Sequence, residues 1–204
     1  MFNRRLLVIA AAVAGLALAG CAKGKGPIAP SAEDMSLGDP KAKVEVIEYA
    51  SVTCPHCARF NAETFPAFKA KYVDTGRVHY TFKEFITEPA PVAAAGYLLA
   101  RCAGKDRYFA VLDQMFRSQD ETTGGGDVRA ALLRIAKGAG LSEAQVEQCF
   151  NDKAAQDALN ARVQRHVEVD KITSTPTFII NGKRTEGVMT LPELDAAIAG
   201  AAKR

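Results

Sequence analysis

The stretch VEVIEYASVTCPHC, residues 44–57, decides how the rest of the chain is read. Val44 to Ala50 is a short, β-branched run of the kind that forms a central strand. It leads straight into Cys54-Pro55-His56-Cys57. Beyond the second cysteine, Phe60, Phe65 and Phe68 recur on one helical face up to about Val73, with Pro66 expected to kink that helix or end its first part. A strand that opens directly into a helix puts the first cysteine at the helix N-terminus. Unpaired N–H groups and the macrodipole favour a thiolate there. The thiolate is the reactive form of cysteine, so Cys54 is the expected attacking sulfur. Cys57 lies one turn further in, shielded but close enough to attack a mixed disulfide formed on Cys54.

Working outward, Val78, Tyr80 and Phe82 alternate with His79, Thr81 and Lys83, the pattern of a second strand. From about Pro91 to Val169 the pattern is helical throughout. Ala93 to Cys102 is alanine-rich, and Tyr108, Phe109, Leu112, Met115 and Phe116 mark an apolar face. Gly124-Gly125-Gly126 interrupts the chain before a further helix to Lys137. Ser142 and Gln145 form a capping box, with Leu141 and Val146 as its hydrophobic staple. A last helix of this block spans roughly Ala154 to Val169. Thr177 to Ile180, after Pro176, reads as a strand, and Asn181-Gly182 as a two-residue hairpin turn. Thr190 with Glu193 caps a closing helix. The order is strand, helix, strand, helical block, hairpin, helix.

The 204 residues are 48% hydrophobic and 24% charged, an ordinary globular composition. Setting aside Arg4 and Arg5 leaves 24 basic residues against 23 acidic, with no basic run or stripe. Nucleic acid is therefore not an expected partner, because neutralising phosphates requires clustered Lys and Arg. At the N-terminus, Arg4-Arg5 precedes an unbroken apolar and small-residue run from Leu6 to Ala19. That run is too short to span a bilayer as a helix, which needs about 20 apolar residues, and has the length of a signal-peptide core. It ends in Leu18-Ala19-Gly20-Cys21, which resembles the lipobox of bacterial lipoproteins, whose cysteine is acylated; a plain secretory signal with a chance cysteine is the alternative. Residues 1–20 are read as the signal peptide and 21–42, rich in Ala, Gly, Lys and Pro, as the lipidated cysteine and a flexible tether. The expected location is periplasmic, anchored to a membrane, in a compartment where disulfides persist. Of five cysteines, Cys102 and Cys149 are then left over. They are expected to form a structural disulfide, with two separately buried thiols as the alternative.

Cys-Pro-His-Cys after Ile-Glu-Tyr-Ala-Ser resembles the DsbA family of thiol:disulfide oxidoreductases, and the likeness runs from about Met35 to the C-terminus. It implies an α/β, thioredoxin-like fold with an inserted all-helical domain. On that reading residues 43–88 and 171–204 form the thioredoxin-like domain and residues 89–170 the insertion. The dipeptide Pro55-His56 is typical of the DsbA branch, and the resemblance implies that His56 helps hold the Cys54 thiolate and that the couple is strongly oxidising. It places Glu48 beneath the active site as an aid to proton transfer from Cys57, with Lys83 a plausible partner; a solvent-facing Glu48 is the alternative. It makes Thr175-Pro176 a cis peptide beside the cysteine pair, where it meets substrate. Thr175 is also what the isomerases DsbC and DsbG carry, which keeps an isomerase or reductase role in view. The resemblance further implies reduced exported proteins as substrates, a DsbB-like quinone-linked membrane oxidase as partner, a monomer, and no cofactor beyond the cysteine pair.

A lone C-x-x-C can also be half a zinc site, but no second cysteine pair exists and His56, His79 and His166 show no ligand spacing, so no metal is expected. His79 and His166 read as ordinary strand and helix residues. The rival from another class is a lipid-anchored chaperone or scaffold with a merely structural cysteine pair.

Overall fold

A computed structural model of the protein describes residues 28–203. Among them, β1 (Met35–Leu37), β2 (Val44–Ala50), β3 (Val78–Glu84), β4 (Thr177–Ile180) and β5 (Lys183–Glu186) form a single mixed sheet in the order β1-β3-β2-β4-β5. β2 and β3 run parallel, with Val44 opposite Val78 and Ala50 opposite Glu84, and the other pairings are antiparallel. β2 is central and covered on both faces, so its sequence is a near-continuous apolar run and not an alternation. Its C-terminal end feeds α1 (Pro55–Glu63). α2 (Phe65–Phe68) follows and widens into a π-helical turn at Lys69–Val73. The break before α2 follows from Pro66, which sits in the first turn of α2, where a missing N–H breaks no helical bond.

The helical insertion comprises α3 (Ala90–Cys102), α4 (Lys105–Arg117), α5 (Gln119–Thr123), α6 (Val128–Gly138), α7 (Glu143–Asn151) and α8 (Lys153–Glu168). The β4–β5 hairpin and α9 (Leu191–Ala201) complete the frame. This is the α/β frame with an inserted helical block expected from the sequence. The capping box at Ser142–Gln145 is formed, and the hairpin turn places Asn181 and Gly182 at positive φ. Cys102, the last residue of α3, is joined by a disulfide to Cys149 of α7, with Cα atoms 6.1 Å apart.

Glu84, at the end of β3, fixes the insertion to the sheet. Its buried carboxylate accepts from Arg101 of α3, from Tyr108 Oη of α4 at 3.1 Å and from Arg162 Nε of α8 at 2.8 Å. Its carbonyl lies 2.8 Å from His166 Nδ1. Three helices are thus pinned within one residue of the point where the chain leaves the sheet for the active-site end.

Two expectations are overturned here. The tether does not remain free to residue 42: from Ile28 onward it is built into the fold, and Met35–Leu37 pairs with β3, Met35 opposite Phe82. Ile28 packs against Ile47, Tyr49, Ile172 and Ile179 on one face of the sheet. The cause is Lys83, 2% exposed. Its Nζ donates to the Ala29 carbonyl at 3.1 Å and lies 3.6 Å and 3.7 Å from the carboxylates of Asp34 and Asp170. Tyr49 Oη also donates to Asp170, at 2.7 Å. Composition hid this, because charge satisfaction and not apolar periodicity holds the segment.

The second correction follows from the same residue. Lys83 does not partner Glu48, because it stands opposite Tyr49 while Glu48 stands opposite Phe82. Successive side chains point to opposite faces of a sheet, so a shift of one residue separates the two completely. The signal peptide expected at residues 1–20 and the lipidated Cys21 lie outside the described residues.

Replacing Lys83 by Met leaves Asp34 and Asp170 facing one another in a dry site. Breaking a buried ion pair from one side costs about 3–5 kcal/mol. Urea unfolding of Lys83→Met should show a loss of that order, and residues 28–34 should become the first site of limited proteolysis. A loss below about 1 kcal/mol would show that the cluster does not hold the segment.

Candidate active site

Cys54 is the residue at which strand geometry gives way to helix. Its backbone is extended (φ −85°, ψ 118°), Pro55 opens α1, and Cys54 Sγ accepts the Cys57 backbone N–H at 3.4 Å. The turn before it is tightly held. Thr53 Oγ1 donates to the Thr87 carbonyl at 3.0 Å, and Ser51 Oγ accepts the Thr87 N–H at 3.2 Å. Tyr97 Oη, from α3, accepts the Val52 N–H at 3.1 Å and lies 2.7 Å from the Ala50 carbonyl, to which it donates. Phe60 seats the helix by packing edge-on against Phe178 of β4, with ring centroids 4.8 Å apart.

Across from α1 stands the loop before β4. Thr175-Pro176 is cis, and the Cys54 thiol donates to the Thr175 carbonyl at 3.4 Å. The structure therefore brings Cys54, Cys57, Thr175 and Pro176 together, with the cysteines as free thiols. Pro55 and His56 are exposed at the head of the helix. The His56 imidazole makes no hydrogen bond to Sγ among the described residues; it is the His56 backbone N–H that contributes to holding the anion.

The two sulfurs are driven in opposite directions. Hydrogen bonding from the Cys57 thiol, then from the Thr175 hydroxyl and the backbone amides of Cys57 and His56, outweighs burial and lowers the Cys54 pKa to about 5. Cys57 is fully enclosed; burial first, then Cys54 and the charge of Glu48, raises its pKa. Glu48 lies beneath the pair with Tyr80 Oη donating to its carboxylate at 2.6 Å. Burial lifts its pKa to about 8, against the pull of that hydrogen bond.

A cavity of about 270 Å³ reaches Glu48 and Tyr80 between α1 and α4, walled by Phe65, Phe109 and Phe116, with Asn61 and Asp113 also lining it. It has room for water beside the carboxyl. A group that changes charge near neutrality, beneath a reactive and a shielded thiol, is equipped to take and return a proton.

Sequence reasoning missed Tyr80 and Tyr97, which read simply as strand and helix apolar positions. The only signal was a hydroxyl on a buried ring, which needs a partner. Among the remaining histidines, His79 Nδ1 lies 2.6 Å from Glu45, and His166 is buried against the Glu84 carbonyl.

Comparison with known proteins bears on the fold and the family. A model of the thioredoxin family (Thioredoxin) matches residues 31–199. A Rickettsia typhi protein named for protein-disulfide oxidoreductase activity is 36% identical over 154 residues, covering 75% of this chain and 56% of the relative. A similarly named protein of Rickettsia bellii is 33% identical over 166 residues, covering 81% and 63%. The chain thus spans roughly 56–63% of the length of these curated relatives. The crystal structure of Wolbachia pipientis alpha-DsbA1 superposes with a TM-score of 0.78 at 31% identity, covering 85% of this chain and 93% of that one. BdbD of Bacillus subtilis shares the fold, with a TM-score of 0.70 at 20% identity.

The opposed shifts have a measurable consequence for the reduced protein. The depressed Cys54 pKa makes folding more favourable as pH rises from about 5 towards 9, a contribution lost as pH falls through that range. The raised Glu48 pKa has the reverse sign: its contribution is lost as pH rises from about 4.5 to 8. Each slope is at most about 1.4 kcal/mol per pH unit, so they offset one another between pH 5 and 8. Glu48→Gln should therefore unmask a rise of stability with pH over that window, read by urea unfolding under reductant. Parallel profiles for the two proteins would mean that Glu48 does not titrate there.

Proposed function

The chain belongs to the thioredoxin family, in its DsbA-type branch, and from that premise we propose that it is an extracytoplasmic thiol:disulfide oxidase. Its substrates on this reading are reduced cysteines of exported proteins. The observation that carries the reading is the opposite displacement of two thiols one turn apart, Cys54 down to about 5 and Cys57 upward. A disulfide whose outer sulfur departs as a stabilised thiolate is easily reduced, so the oxidised pair is a ready electron acceptor.

In the forward direction a client thiolate attacks Sγ of Cys54 in the Cys54–Cys57 disulfide. That S–S bond breaks, its electron pair passes to Cys57, and Cys57 takes up a proton. Glu48, protonated below about pH 8, is the group placed to supply it. A second client thiolate then attacks the client sulfur of the mixed disulfide, and Cys54 leaves as the thiolate. The client gains one disulfide, and the pair holds the two electrons. If the second client thiol is absent, Cys57 attacks Cys54 and releases the client unchanged.

The cysteine pair is the redox group on this reading, and no separate cofactor enters. A client strand is received at Thr175-Pro176, where the Cys54 thiol already meets a backbone carbonyl. His56 is exposed at the head of α1, and the DsbA likeness assigns it to holding the Cys54 thiolate. Arg4-Arg5, the apolar run Leu6–Ala19 and Cys21 support export and a lipid anchor, and the DsbA likeness supports reoxidation by a DsbB-like quinone-linked membrane protein and action as a monomer. The Cys102–Cys149 bridge serves as a structural crosslink of the insertion. Thr175 sustains one second reading, an isomerase or reductase working through the same sulfurs.

The reduction potential separates these readings. Strong oxidases of this type lie near about −120 mV and thioredoxin near about −270 mV. The soluble domain should equilibrate with glutathione near the oxidising end and oxidise a dithiol peptide. Cys54→Ser should abolish that activity, and His56→Ser should make the couple less oxidising by about 30 mV or more, equivalent to about 1.4 kcal/mol. A potential near that of thioredoxin would replace oxidase by reductase. No exchange in peptide-oxidation or insulin-reduction assays would leave only a scaffold.

A further inference from the structure

The turn that presents Cys54 is gripped from outside the thioredoxin-like frame. Gln119 is the first residue of α5, after the break in the helix at Ser118. Its Nε2 donates to the Val52 carbonyl at 2.8 Å and to the Cys54 carbonyl at 3.1 Å. One side-chain amide thus spends both hydrogens on two carbonyls that flank Thr53 in the active-site turn.

The orientation of the amide follows from chemistry. Rotated by 180°, it would set its own oxygen against two carbonyl oxygens at those distances, which is repulsive, so the NH₂ group must face the turn. The Val52 carbonyl needs this donor. Val52 is buried beyond the end of β2, and among the described residues its carbonyl receives no backbone N–H. A buried carbonyl without a donor costs about 1–3 kcal/mol.

The grip is itself braced. Arg134 of α6 donates to both carboxylate oxygens of Glu121 at 2.7 Å and to Ser118 Oγ at 3.3 Å, fixing α5 on either side of Gln119. Further along, Asn61 of α1 donates to Asp113 of α4 at 2.9 Å. The active-site helix is therefore tied to the insertion below its head, and the turn before it is tied at Gln119.

We propose that Gln119 is a positioning residue for the redox centre: by clamping the Val52 and Cys54 carbonyls it holds the turn in the one geometry that aims the Cys57 and His56 amides at Cys54 Sγ. It touches neither client nor sulfur and acts through the backbone. The Cys57 N–H is shared between Sγ at 3.4 Å and the Cys54 carbonyl at 3.1 Å, so a rotation of the turn changes how much of it the sulfur receives. The insertion thereby sets the acidity of a sulfur carried by the other part of the fold.

This inference rests on the reading of Cys54 as the stabilised thiolate, and the experiment separates the two. Thiolate absorbance is titrated in the reduced, unaltered domain and in Gln119→Met, which keeps the length and apolar stem of the side chain but has no donor. Gln119→Met should raise the Cys54 pKa by half a unit or more, cutting the thiolate fraction about threefold below the midpoint. The equilibrium constant against glutathione should move towards a less oxidising couple by about the same factor. A lower melting temperature with the Cys54 pKa and the potential unchanged overturns the proposal and leaves Gln119 a merely structural contact. A free-thiol titration in the unaltered protein would instead overturn the reading of Cys54 itself. Should Gln119→Met fail to fold, the unaltered domain decides by NMR. Scalar couplings across the hydrogen bonds from Gln119 Nε2 to the Val52 and Cys54 carbonyl carbons support the clamp, and a rapidly exchanging Gln119 amide without them overturns it.

Discussion

A sulfur anion largely withdrawn from water is stabilised only by donors held so that they cannot turn away. Everything at the active end of this molecule serves that constraint on Cys54. The first amides of a helix have no intrahelical acceptor, so the sulfur must sit at the start of α1 and its own backbone must be non-helical, as its φ of −85° and ψ of 118° make it. The strand must then deliver the chain to that point without slack. β2 does so because it is held on one side by β3 and on the other by β4, with register fixed along its length.

The same constraint accounts for the polar groups inside the sheet. Three acidic or basic side chains from β2 and β3, Glu48, Lys83 and Glu84, are buried, and each meets the cost of leaving water differently. Glu84 is flanked by two arginines, Lys83 by two aspartates, and Glu48, among the described residues, has only a tyrosine hydroxyl. A carboxyl with no counter-charge lowers its cost by keeping its proton. Glu48 is thus the one placed to exchange a proton with a neighbour, whereas the paired ions serve as anchors. Function and scaffold are separated here by the presence of a partner, not by residue type.

Much of this was legible in the sequence, and the illegible parts share one cause. The β2–α1 junction, the helical block, the capping boxes and the Asn181-Gly182 turn each depend on neighbours within a few residues, where periodicity and turn chemistry speak directly. Glu48 was recognisable because a carboxylate in an apolar strand demands an explanation. Its partner was not, since Lys83 and Tyr80 are both near in sequence terms and only the pleat decides between them. Likewise Met35–Leu37 carries no strand pattern of its own, and its place is set by Asp34 meeting a lysine 49 positions later in the chain. Gln119 is the extreme case: a lone glutamine has no signature, and its two acceptors lie 67 and 65 residues away.

That distance bears on why the frame carries an insertion at all. Where β2 and β3 end, their last carbonyls and amides lose strand partners at the point where precision is needed. A loop would satisfy them with water and leave them mobile. The insertion satisfies them with side chains projecting from rigid helices: Tyr97 on the Ala50 carbonyl and the Val52 amide, His166 on the Glu84 carbonyl, Gln119 on the Val52 and Cys54 carbonyls. The block shares one apolar core with the frame, Tyr97, Leu99, Tyr108 and Met115 packing in the same cluster as Val46, Tyr80 and Phe82, and so stabilises it by burial. It is also a set of fixed donors and acceptors around a turn. Hydrogen bonds at such a site define position, and position determines how much of the Cys54 sulfur is thiolate.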